Sequence, residues 1–138
     1  MVGAGGVGRA ITASLAAAGV ASLTLFDVDD VSAQGLAARV REHYPAVQVQ
    51  TGSRDPVGHD LVVNATPLGM NEGDPMPFDV QRLTASMFVG EVVMKRETTP
   101  LLAAAQALGC RVQVGTDMLY EQIPAYLEYF GLPTTTAA

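Results

Sequence analysis

The sequence predicts an α/β protein built on a doubly wound parallel sheet, and three observations predict it. Apolar segments of period two alternate with segments of helical period along most of the 138 residues, the pattern of parallel strands joined by crossover helices. A glycine-rich turn, Gly3-Ala4-Gly5-Gly6-Val7-Gly8, opens directly into one of the helical segments. An acid, Asp27, ends the strand that follows, 19 residues after Gly8.

Each element has a local reason. Only Met1 and Val2 precede the glycine turn, so the first strand, central in such a sheet, is expected to be truncated. Val7, Ala10, Ile11, Ser14, Leu15 and Ala18 recur at helical spacing and form the expected apolar face of the first helix, which Gly19 stops. Ser22–Asp27 alternates as a strand. Asp30 is the expected N-cap of a second helix running to Tyr44. Ala46–Thr51 alternates cleanly as a strand, and Leu61–Thr66 is a short apolar one. The Pro- and Gly-rich run Pro67–Phe78 is too long for a plain connector and is a candidate functional loop. One or two helical turns are expected within Asp79–Ser86, then a buried strand over Met87–Met94. Thr99 as N-cap and Pro100 at the first helical position predict a helix ending at Gly109. A last strand, Cys110–Gly115, leads into a helix over 116–131 that Pro124 should kink.

Composition bounds the function. Apolar residues make up 49% and charged residues 16%, which excludes a disordered chain. A net charge of −6 with a single lysine, Lys95, excludes a nucleic-acid-binding surface. No uninterrupted apolar run is long enough to span a membrane. The lone Cys110 forms no internal disulfide and reads as a small buried hydrophobe, consistent with a cytoplasmic protein. The expected organisation is one domain, residues 1–131, followed by a tail, 132–138. No metal site is expected, and a homodimer is left open.

The turn carries the chemistry. In Gly3-x-Gly5-x-x-Gly8 the first glycine allows the tight turn, the second lets backbone approach a pyrophosphate, and the third lets helix and strand pack closely. The helix N-terminus then offers unpaired N–H groups to phosphate. Asp27 can accept hydrogen bonds from the two hydroxyls of an adenosine ribose. The five residues Phe26-Asp27-Val28-Asp29-Asp30 hold three acids, which would repel a 2′-phosphate. The turn, helix, strand and acid together read as a Rossmann-type NAD(P)-binding domain with a truncated first strand, taking NAD rather than NADP. Read more plainly, the same residues are a structural glycine turn and an acid at a strand end.

Three further segments carry a resemblance: Val62-Val63-Asn64-Ala65-Thr66-Pro67-Leu68-Gly69-Met70, the run from Gly90 to Leu102, and the run from Val114 to Gly131. Behind the glycine turn, in this order, they resemble the cofactor-binding domain of the shikimate/quinate dehydrogenase family. The resemblance implies reversible, NAD(P)-dependent oxidation of shikimate or quinate, a small hydroxy acid, to the 3-dehydro form. It implies that Asn64, Ala65 and Thr66 line the cofactor near its ribose and nicotinamide. It places Val92 and Gly115 beside the nicotinamide, Met118 near the ring, and Gln122 on a substrate hydroxyl. By residue type alone, Asn64 and Thr66 equally suit a strand end, Val92 sheet core, Gly115 a turn and Gln122 a solvated position.

Departures from the family pattern are specific. Met94-Lys95-Arg96 stands where the family commonly has Tyr-Asn-Pro, and Thr116-Asp117 replaces a common Leu-Gly. The family's catalytic lysine and aspartate lie in an N-terminal substrate domain that has no counterpart here, so no catalytic residue is assigned and the chain alone is expected to be inactive. His43 and His59 are expected at the surface. Two rival readings remain: a non-catalytic NAD-binding or sensing module, and another two-domain dehydrogenase of this fold, such as one acting on methylene-tetrahydrofolate or glutamyl-tRNA.

Overall fold

The computed structural model describes residues 1–117 and Gly131. The helix expected over 116–131, with Met118, Gln122 and Pro124, and the tail at 132–138 otherwise lie outside the described residues.

Among the described residues, three α-helices and five strands follow in the order α1 (Gly6–Ala17), β1 (Ser22–Leu25), α2 (Asp30–His43), β2 (Gln48–Thr51), β3 (Leu61–Asn64), β4 (Phe88–Glu91), α3 (Pro100–Ala107) and β5 (Arg111–Gln113). All strand pairs are parallel. They form a β1–β2 pair and a β3–β4–β5 trio. Val2 joins the two sets, bridging to Phe26 on one side and to Asn64 on the other. Its N–H donates to the Val63 carbonyl at 2.9 Å, and its carbonyl accepts from Ala65 at 2.7 Å. With Met1–Val2 counted as the first strand, the order is that of the doubly wound dinucleotide-binding sheet, which reverses between this strand and β3.

The core follows from this order. Leu23, Leu25, Leu36, Ala37, Val40 and Val47 gather β1, α2 and the approach to β2 into one cluster. Val62, Val89, Leu101, Leu102, Ala105 and Cys110 gather β3, β4 and α3 into another. Leu25 and Leu102 are fully buried, and each such side chain contributes roughly 1.5–3 kcal/mol. Cys110 is buried as expected, and burial pushes its thiol up.

Local signals held where one residue decides the geometry. The Thr99 side chain accepts from Leu102 N–H and Pro100 opens α3. Gly19, at φ +88°, follows the end of α1. One 3-10 turn, Val80–Arg82, capped by Asp79, answers the one or two turns expected within Asp79–Ser86. Two expectations are corrected. Asp29, not Asp30, is the N-cap of α2, and its carboxylate accepts from the Ser32 hydroxyl at 2.7 Å. The buried residues of α1 are Gly8, Thr12 and Ala16, whereas Val7 is 51% exposed. Gly8 must meet the turn it follows, and that contact sets the helix so that Thr12 and Ala16, on the same face, point inward with it.

The position between β1 and β3 is filled only at one end. A cavity of about 270 Å³ opens there, lined by Met1, Thr24, His59, Leu61 and neighbours. The Met1 amine sits at its edge, donating to the Thr24 carbonyl at 2.9 Å, and burial lowers its pKa to about 6.

Candidate functional site

The four glycines of the turn do different work. Gly3 sits at φ +107°, and a Cβ there would lie 2.7 Å from the Ala65 carbonyl group. A Cβ at Gly8 would overlap the Gly3 carbonyl oxygen. These two are required by the fold itself, one for the turn and one for the start of α1. At Gly5 and Gly6 a Cβ would meet nothing within 4 Å, and Gly5 has an ordinary φ of −77°. The fold does not need glycine at these two positions. They leave bare backbone in front of the N-terminus of α1, which suits the approach of a pyrophosphate.

Asp27 braces this turn. Its Oδ2 accepts from the Ala4 N–H at 2.7 Å and its Oδ1 from the Asp29 N–H at 2.8 Å. A carboxylate offers about four acceptor sites, so two remain for hydroxyl donors.

Gly3, Gly5 and Asp27 line one cavity of about 330 Å³ together with Val28, Arg54, Ala65, Thr66, Pro67, Leu68 and Pro77. It lies at the carboxyl ends of the first strand, β1 and β3, at the reversal of strand order, where open α/β sheets bind ligands. Five of the residues singled out in the sequence, Gly3, Gly5, Asp27, Ala65 and Thr66, meet the long loop here. That loop is closed on itself: the Asp74 carboxylate accepts from Gly69 N–H and Asn71 N–H, both at 3.0 Å, and these bonds hold its pKa below the usual range.

Asn64 stands behind the cavity, not in its wall. It is fully buried, and its side chain is saturated within the protein. Nδ2 donates to Leu68 O and to Glu91 Oε1, at 3.1 and 2.9 Å. Oδ1 accepts from Thr66 N–H and Oγ1, at 3.0 and 2.6 Å. Asn64 therefore shapes the turn that presents Ala65 and Thr66. Val92 and Gly115 meet each other next to it: Val92 N–H donates to the Asn64 carbonyl at 3.2 Å, and a Cβ at Gly115 would overlap the Val93 carbonyl. Ala4 and Gly8 are buried under the turn, Val7 is exposed on α1, and Met118 and Gln122 are outside the described residues.

Glu91 is the residue that sequence reasoning missed. At the end of β4 it is fully buried. Its Oε1 accepts from Asn64 Nδ2, Val92 N–H and Val93 N–H, and its Oε2 from Thr99 Oγ1. Burial raises its pKa, and the four donors pull the other way. The available signal was one acid inside the otherwise apolar run Met87–Met94. Among the described residues no group of His, Cys, Asp and Glu could hold a metal ion, and no helix is long and apolar enough to cross a membrane.

No family model matches the chain. It is 41% identical over 138 residues to the quinate/shikimate dehydrogenase (NAD(+)) of Corynebacterium glutamicum, a match covering 95% of the chain and 48% of that protein. It is 37% identical to the shikimate dehydrogenase (NADP(+)) of Rhodospirillum rubrum, over 96% of the chain and 48% of that protein. Among solved structures, the quinate dehydrogenase from Corynebacterium glutamicum in complex with NAD superposes with a TM-score of 0.83 at 40% identity, covering 94% of the chain and 48% of that one. The 5-ketofructose reductase of a Gluconobacter strain superposes with a TM-score of 0.83 at 33% identity, covering 96% and 50%. The chain thus spans about half the length of the curated relatives it matches. Shared sequence, shared parallel order and the glycine turn at the strand reversal agree: over about 95% of its length this chain is homologous to about half the length of the shikimate/quinate dehydrogenases.

Proposed function

We propose that this chain is the dinucleotide-binding portion of a shikimate/quinate-type dehydrogenase and that it holds NAD in preference to NADP. The observation that carries the reading is the convergence of Gly3, Gly5, Asp27, Ala65 and Thr66 on one cavity at the reversal of strand order. The bound nicotinamide would supply the hydride acceptor or donor. The chain's part is to hold and orient it. Bare backbone at Gly5 and Gly6 and the N-terminus of α1 receive the pyrophosphate, and the free lone pairs of Asp27 receive ribose hydroxyls. Asn64, braced by Glu91, sets the Ala65–Thr66 turn against the other side.

Asp27, Asp29 and Asp30 form an acidic rim that disfavours an added phosphate, and the relatives named for NAD(+) support the same choice. The substrate class is a small polyhydroxy acid such as shikimate or quinate. Met94, exposed where the family commonly has tyrosine, leaves the choice between them to the rest of the site. Titration with NAD and NADP by calorimetry tests the reading: NAD should bind at least about tenfold more tightly. Asp27→Ala should then erase most of that difference, since a hydrogen bond to a charged group contributes about 1.5–3 kcal/mol. Equal affinities in the unsubstituted chain would overturn the cofactor assignment.

A further inference from the structure

The helices α1 and α2 pack against each other, and a groove of about 480 Å³ opens between them. Spacing by four builds its walls. On α2, Leu36, Val40 and Tyr44 repeat at this interval, and so do Arg39 and His43; on α1, Arg9 stands four residues before Ala13. Leu36 and Val40 are buried and make an apolar floor, whereas Arg9, Arg39 and His43 are exposed above it. No acid lines this groove, in a chain whose net charge is −6. The cavities beside Arg54 and Arg82 differ, since each also holds Asp27, Asp55 or Asp79. Among the described residues neither Arg9 nor Arg39 enters an ion pair. Arg9 uses its Nε on the Gly5 carbonyl at 3.4 Å, which leaves the other N–H groups of its guanidinium free to donate. None of these residues lines the cavity at Asp27.

We propose that this groove is an additional ligand site, for a small organic anion: a carboxylate carried on a ring or another compact apolar body. The guanidiniums of Arg9 and Arg39 receive the carboxylate, for which their planar forks of N–H groups are matched. His43 and Tyr44 add hydrogen-bonding groups to the same wall. Leu36, Val40 and Ala13 take the body of the ligand and strip water from one side of it. The volume falls within the range of small-molecule pockets, roughly 300–1,000 Å³. An inorganic anion would leave the floor uncovered, and a neutral ring would leave both guanidiniums unanswered. The two features together select a molecule that carries both.

Benzoate is the probe, with inorganic phosphate as its charge-only counterpart and benzyl alcohol as its body-only counterpart. Each is titrated into the 138-residue chain at constant ionic strength and followed by amide NMR shifts. Benzoate should saturate below about 10 mM, and the two counterparts should bind at least about fivefold more weakly. Arg9→Gln and Arg39→Gln should each weaken benzoate about fivefold or more, while Arg111→Gln, on β5, should not. Arg9 and Arg39 are exposed, so the melting temperatures of their variants should stay within about 2 °C of the unsubstituted chain. An excess of NAD should leave benzoate bound. Phosphate binding as tightly as benzoate would overturn the apolar body, and benzyl alcohol doing so would overturn recognition of the charge. Unchanged benzoate affinity in either arginine variant, displacement of benzoate by NAD, or no saturable binding would each remove the site from this groove.

Discussion

Asn64 Nδ2 donates to Glu91 Oε1 across 2.9 Å, with both side chains fully closed to solvent. This bond ties the end of β3 to the end of β4, and through Thr99 Oγ1 to the cap of α3. Three elements are locked together behind the Ala65–Thr66 turn by one carboxylate. Removing that carboxylate leaves a hydrogen of Asn64 Nδ2, the Val93 N–H and the Thr99 hydroxyl without an acceptor, at about 1–3 kcal/mol each, while Val92 N–H keeps the Asn64 carbonyl; relief of a buried charge offsets part of the loss. Glu91→Ala should therefore destabilise the chain by at least about 2 kcal/mol in urea denaturation, and Glu91→Gln by less. A loss below about 0.5 kcal/mol for Glu91→Ala would show that the network contributes nothing net.

The same carboxylate sets a pH dependence. Burial raises the pKa of Glu91 in the folded chain above its ordinary value of 4.5. The folded state then binds the proton more tightly than the unfolded state, so this group's contribution to stability falls as pH rises from 4.5 through the folded pKa. The stability difference between the unsubstituted chain and Glu91→Gln should shift against the unsubstituted chain between pH 4.5 and 7. Denaturation curves at several pH values check it, and a shift in the opposite direction would contradict the assignment.

The cavity between β1 and β3 makes a prediction about stability. Among the described residues, the backbone beside it is paired only by Met1 and Val2, and the Met1 amine is buried there with its pKa lowered to about 6. The folded state disfavours the charged amine, so this group's contribution rises between pH 6 and 8. Placing about four apolar, β-branched residues ahead of Met1 would fill a strand of typical length and remove the amine from the slot. The melting temperature should rise by several degrees, and its dependence on pH between 6 and 8 should flatten. An unchanged melting temperature would show that the slot does not accept a strand.

How much of this could be read in the sequence depended on how local each cause is. Thr99-Pro100 announced α3 because cap and first position are adjacent in the chain. Gly3 and Gly8 announced the turn because their contact spans five residues. The inward face of α1 was not legible. Its apolar pattern pointed to Val7 and Ala10, but the contact of Gly8 with Gly3 turns Thr12 and Ala16 inward instead. Asn64 was legible as a special residue, yet its place behind the cavity depends on Glu91, 27 residues away. Glu91 itself was hidden because its partners come from β3 and α3, which no spacing within β4 reveals. Arg54 was hidden for the same reason: its loop meets Phe26 only after β1 and β2 pair.

Assayed alone with shikimate or quinate and NAD, the chain is expected to show no turnover. The ionisable groups lining the cavity are Asp27, already accepting two backbone N–H groups, and Arg54, a guanidinium. Neither is suited to move a hydroxyl proton in step with a hydride. Robust turnover by the chain alone, measured by NADH absorbance, would place an acid/base outside this cavity lining.

Gly5→Val separates the two roles of the glycine turn, receiving a pyrophosphate on bare backbone and making the fold. A Cβ at this position meets nothing within 4 Å and the backbone φ is ordinary, so the variant should melt within about 2 °C of the unsubstituted chain. Its side chain would nevertheless stand where the phosphates approach. Calorimetric titration should therefore show NAD binding to the unsubstituted chain and weakened at least about tenfold, or lost, in Gly5→Val. NAD binding equally well to both, at unchanged melting temperatures, would contradict the account and leave the glycine turn a matter of folding alone.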